Sequence, residues 1–148
     1  MPNSRKRPPG LSVVAVILAL LAVSGFLNAF IWSQLSASLP PDAPPHLRAA
    51  VNALASPTVT VLAILYAITA LYAAVGVWKM KIWAPVAILA WGVGVLILGG
   101  TFLVLGPQMV DAPLNSAAFA YAGLGALAIA IVAATWLYVR RQVARVDL

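Results

Sequence analysis

Charge is the scarcest ingredient of this 148-residue sequence: 8% of its residues are charged, and it contains no glutamate and no cysteine. A soluble domain carries about 25% charged residues. A chain that is 64% hydrophobic, with a mean hydropathy of +1.02, therefore has too little polar surface to face water on all sides. The lack of cysteine excludes a disulfide framework, a thiolate metal site and a cysteine nucleophile. The acidic complement is Asp42, Asp111 and Asp147, all in predicted loops or the tail. Proton-coupled transport needs an ionisable group within the membrane, and general acid–base catalysis commonly pairs carboxylates. The sequence offers neither. It also has no Asn-x-Ser/Thr sequon, which excludes N-glycosylation.

What is there is a set of long uncharged runs. Arg7 to Asp42 encloses 34 uncharged residues, Arg48 to Lys79 encloses 30, Lys81 to Asp111 encloses 29, and Asp111 to Arg140 encloses 28. A helix crosses the hydrocarbon core with about 20 residues at 1.5 Å rise each. Each run is long enough to cross once and too short to cross twice. The expected fold is an all-α integral membrane protein, a bundle of four transmembrane helices.

Turn chemistry sets the boundaries. Residues 1–10 form a basic, proline-broken segment. The first spanning helix covers 11–39 and stops at Pro40-Pro41; its length exceeds a signal-peptide core of about 7–15 residues, so it reads as a retained helix. The outer loop 40–56 contains Leu47, Val51 and Leu54 at helical spacing, which predicts a short interfacial helix. Ser56-Pro57 supplies an N-cap and a first-turn proline for the second spanning helix, 57–78. A turn at 79–84 leads into the third, 85–105, which Gly106-Pro107 is expected to end. An outer loop at 106–115, with Asn115 or Ser116 as cap, precedes the fourth, 116–139; residues 140–148 form the tail.

Arg5, Lys6, Arg7, Lys79, Lys81, Arg140, Arg141 and Arg145 fall on one side of this arrangement, and Arg48 alone on the other. The positive-inside rule then places both termini in the cytoplasm, and the Ala/Val/Leu-rich, cysteine-free composition points to a bacterial inner membrane. The stretch GVWKMKIWAP, 76–85, becomes the tight cytoplasmic turn, with Trp78, Lys79, Lys81 and Trp83 as interfacial anchors. Trp136, Arg140 and Arg141 anchor the fourth helix in the same way. The net charge of +6 does not signal nucleic-acid binding, because the positive residues sit at helix flanks and form no basic face.

Candidate functional residues are few. His46, the single histidine, is the one candidate cofactor or pigment ligand, without a second protein ligand near it in sequence. Asn28 and Thr69 are the leading intramembrane polar residues; an amide in lipid must find a partner, and most often bonds a neighbouring helix. Small residues are the richest signal. The first helix carries Ala15, Ala19, Ala22 and Ala29 on one face, the fourth carries Ala118, Ala122, Ala126, Ala130 and Ala134 at four-residue spacing, and the third carries Gly92 and Gly99. Small residues let helices approach where lipid supplies no hydrophobic drive for association.

No phosphate loop or nucleophile–base pair occurs, and no cofactor or metal is implied. The expected role is a non-enzymatic accessory subunit of a larger membrane complex, photosynthetic or respiratory, with the bilayer and other integral membrane subunits as partners. The alternatives are a homo-oligomeric transporter or channel for a neutral or lipophilic solute, and a pigment- or quinone-binding protein.

Overall fold

The computed structural model describes residues 8–110 and 114–145, with side chains over 8–105 and 123–145. It is all-helical: α1 (Pro9–Leu35) closed by a 3-10 turn at Ser36–Ser38, then α2 (Pro45–Leu54), α3 (Pro57–Trp78), α4 (Ala84–Val110) and α5 (Leu114–Ala144). Four segments are long and apolar enough to cross a bilayer: Pro9–Ser38, Pro57–Trp78, Ala84–Leu105 and Gly123–Ala144. The chain thus has the makings of a multi-pass integral membrane protein.

The local starts follow from the residues. Pro9, Pro45 and Pro57 each open a helix, where the missing N–H would be unbonded in any case. Ser56 caps α3, its hydroxyl accepting from the Val59 N–H at 3.4 Å. Helix α3 closes in a Schellman arrangement: Lys81 N–H donates to Gly76 C=O at 2.9 Å, and Met80 N–H to Val77 C=O at 3.1 Å. Met80 accordingly adopts a φ of 50°, a position usually taken by glycine.

Two predicted boundaries move. Helix α4 continues through Gly106-Pro107 to Val110 instead of stopping at Leu105. In apolar surroundings unwinding would free further backbone groups, so one proline need not end a helix. Helix α5 starts at Leu114, before Asn115 and Ser116, and runs past Val139 to Ala144. The cap assigned to Asn115 or Ser116 falls on side chains outside the described residues.

Packing follows chain order, α1 on α3, α3 on α4 and α4 on α5, while α2 folds onto α4 and α1. The buried cluster joins Leu11, Ala15, Leu18 and Ala22 of α1 to Ala70, Ala73, Ala74 and Val77 of α3, then Ala84, Ile88 and Trp91 of α4, and Val139 and Val143 of α5. The starts of α1 and α4 thus lie beside the ends of α3 and α5, an alternating bundle drawn tight at that end. At the opposite end Ala50, Val51 and Leu54 of α2 are buried.

Burial falls steeply across the bundle. In the most apolar window of α3, 39% of residues are buried, against 6% in that of the described Gly123–Ala144 part of α5. Gly92 of α4 is buried, and a Cβ there would lie 2.6 Å from Val132 Cγ1. One heptad later, a Cβ on Gly99 would meet nothing within 4 Å. The two helices meet near Gly92 and leave Gly99 uncovered.

Candidate functional site

Small residues shape the α1–α3 seam. Ala15, Ala22, Gly25 and Ala29 are buried on α1, with Ala19 half-buried, and the facing helix buries Ala63, Ala67, Ala70 and Ala74. The α3 face repeats the alternating spacing of four and three seen on α1, so the signal for it was present in the sequence. On another face of the same helix, Leu65 and Tyr72 are exposed.

Where α5 gives little cover, an open-sided crevice of about 540 Å³ lies between α1, α3 and α4. Ser24, Asn28 and Trp32 line it from α1, Tyr66 from α3, and Gly99 and Phe102 from α4. Two glycines position its inner ring. A Cβ on Gly25 would lie 2.9 Å from Tyr66 Cδ1, and one on Gly94 would lie 3.5 Å from Tyr66 Cδ2. Tyr66 is therefore seated between two helices that bare their backbones to it. Behind it Trp91 packs at 6.4 Å between ring centroids, buried, with its indole N–H unpartnered among the described residues. Trp32 and Phe102 meet edge to face, centroids 5.0 Å apart.

Asn28 is half-buried and donates from Nδ2 to Ser24 Oγ at 3.3 Å, one turn back on its own helix. Its expected bond to a neighbouring helix does not form among the described residues. Thr69 donates to the Tyr66 carbonyl at 2.9 Å, satisfied within α3, and lines a separate crevice of about 170 Å³ between α3 and α4. The two intramembrane polar residues therefore do not share one path.

The remaining candidates are dispersed. His46 is exposed on α2, and no group of three His, Cys, Asp or Glu among the described residues could hold a metal ion. Nearby, Arg48 donates to the Pro41 carbonyl at 2.7 Å and ties the loop to the start of α2. Lys79 and Lys81 are exposed at the α3–α4 turn, with Trp78 beside them. Trp83 is half-buried and lies stacked on Tyr72 at 4.3 Å. Arg140 is exposed and sits over the Trp136 ring, 5.1 Å from its centroid, while Arg141 is exposed in the last turn of α5. On α5, Ala126, Ala130 and Ala134 are exposed, and the side chains of Ala118 and Ala122 lie outside the described residues.

Sequence reasoning missed Tyr66, Trp91 and Phe102. Each looks like one more apolar residue in a helix, and their grouping is a property of three helices together. No protein-family model, no curated protein and no solved structure matches this chain.

Proposed function

We propose that this chain is a non-enzymatic accessory subunit of a larger membrane complex, docking laterally through α5. The observation that carries the reading is the 6% burial of the most apolar window in the described part of that helix, Gly123–Ala144. A spanning helix gains its place in a bundle through close packing and interhelical hydrogen bonds, not through hydrophobic burial. Helix α5 has small residues at a regular interval, Ala126, Ala130 and Ala134, and presents them away from its own bundle. A neighbouring helix could approach closely along that line. The connections between the helices are short and hold no domain of their own, so the described helices favour association within the bilayer.

The orientation that suits this role puts both termini and the Lys79–Lys81 turn in the cytoplasm, with α2 in the outer interface of a bacterial inner membrane. The charge asymmetry supports it, since each lysine near an anionic leaflet gains about 1 kcal/mol.

The test is purification of the tagged chain from its native membrane in a mild detergent or in nanodiscs, followed by mass spectrometry. Companions at fixed stoichiometry are expected, with less of them retained by Ala126→Leu and Ala130→Leu. A monodisperse homo-oligomer without companions would overturn the reading in favour of the homo-oligomeric transporter.

A further inference from the structure

We infer that the crevice between α1, α3 and α4 binds an uncharged, lipid-soluble molecule whose flat head group carries carbonyl oxygens, the chemistry of a quinone. The inference does not depend on docking through α5, because it rests on other faces of the bundle.

Size is the first ground. About 540 Å³ falls inside the range of roughly 300–1,000 Å³ typical of small-molecule pockets. Charge is the second. No Asp, Glu, Lys, Arg or His lines the crevice, so a charged head would enter without a counter-ion.

Hydrogen bonding selects the head group. Asn28 stands seven residues before the end of α1, roughly 10 Å along the helix axis, within the apolar span. Its bond to Ser24 Oγ uses one amide N–H. The second N–H, the amide oxygen and the Ser24 hydroxyl hydrogen have no partner among the described residues, and both side chains line the crevice. Unpaired polar groups in an apolar surrounding are costly. An acyl chain would fill the space and leave all three unpaired. The two unused donors, the second amide N–H and the Ser24 O–H, each call for an acceptor on the ligand, and carbonyl oxygens meet that need.

Ring chemistry gives the shape. Trp32, Tyr66 and Phe102 bring three aromatic side chains to one crevice, and the Trp32–Phe102 pair is already set edge to face at 5.0 Å. Aromatic walls suit a planar ring, which packs in offset or edge-on geometry. Gly99 keeps the α4 wall flat, with open space where a side chain would stand.

The test uses the full chain in nanodiscs, with decylubiquinone as probe and quenching of tryptophan fluorescence as readout. Decylbenzene, added as a competitor, supplies the tail and ring without the carbonyls. The wild type should quench saturably, with the saturable component lost in Trp32→Phe. Gly99→Leu should raise the half-saturating mole fraction at least tenfold by filling the crevice. Asn28→Leu should raise it roughly three- to tenfold, the range for losing one neutral hydrogen bond. Decylbenzene should compete equally in wild type and Asn28→Leu. Helical circular dichroism checks that each variant is folded, and Gly99→Leu is the safer of the two because no atom lies within 4 Å of its Cβ position. Quenching that rises linearly with quinone, alike in all variants, would overturn the inference. So would saturable quenching that folded Gly99→Leu leaves unchanged. An Asn28→Leu variant that binds like wild type would remove the carbonyl assignment.

Discussion

Trp83 lies nearly parallel to Tyr72, ring centroids 4.3 Å apart and planes 20° apart, and its six-membered ring rests against the backbone of Gly76. The residue just before α4 is thus clamped to the last turns of α3. The turn between them is a packed structure in its own right, whatever headgroup contacts Trp83 also makes.

A Cβ on Gly76 would fall 2.5 Å from Trp83 Cζ3, on a rigid ring that cannot bend away. Gly76→Leu should therefore destabilise the protein by about 1–3 kcal/mol, the usual range for overpacking. Trp83→Ala should cost at least the ring-pair term of about 0.5–1.5 kcal/mol, and Trp83→Phe should recover part of it. Unfolding by sodium dodecyl sulfate, followed by far-ultraviolet circular dichroism, gives these values. Wild-type stability in Gly76→Leu would show that the stack is not formed in the membrane.

At the centre of that turn Met80 holds a φ of 50°. Left-handed backbone costs an ordinary residue about 1–2 kcal/mol, less for Asn and more for β-branched side chains. Met80→Val should lower the unfolding midpoint, whereas Met80→Asn should leave it near wild type. Equal loss in both would point to the Met80 side chain, which packs against the buried cluster, as the dominant contribution.

Glycines along the bundle should divide into two classes. Gly25 and Gly92 are buried against Tyr66 and Val132, where leucine has no room. Gly25→Leu and Gly92→Leu should each destabilise by about 1–3 kcal/mol. Gly99→Leu and Gly123→Leu, with nothing within 4 Å of either Cβ position, should leave the unfolding midpoint nearly unchanged. Equal sensitivity at Gly25 and Gly99 would mean that the helices close together at both ends.

Membrane orientation has a direct check. With single cysteines in this cysteine-free chain, His46→Cys should react with an impermeant maleimide added outside intact cells. Lys79→Cys should react only after the membrane is opened. The reverse pattern would invert the proposed topology.

Docking through α5 predicts a separation of stability from assembly. Ala130→Leu and Ala134→Leu lie on exposed positions, so the unfolding midpoint of the isolated chain should change by less than about 0.5 kcal/mol. Partner retention from native membranes should fall in the same variants. Loss of stability together with unaltered assembly would assign these alanines to internal packing.

Much of the fold was legible because its causes are local. Charge spacing encodes how many times the chain can cross a bilayer, since each ion excluded from hydrocarbon marks a span's limit. Ser56-Pro57 carries its own helix start, and the Ser56 hydroxyl caps as its residue type requires. The alanine face of α1 was readable from spacing, and Ala15, Ala22 and Ala29 on it are buried as close packing demands. Pro107 misled because the local cost of a proline is weighed against backbone exposure in apolar surroundings, which depends on the environment and not on the dipeptide.

By itself, then, the sequence determined that the chain carries four helices long and apolar enough to span a membrane. Tertiary structure alone decided which small residues meet. Ala29 is buried in the α1–α3 seam, while Ala126, of the same residue type, is exposed on α5. It also decided that Asn28, Tyr66 and Phe102, far apart in sequence and on three helices, line one crevice. Spacing along a helix specifies a face, but only the approach and divergence of neighbouring helices specify what that face meets.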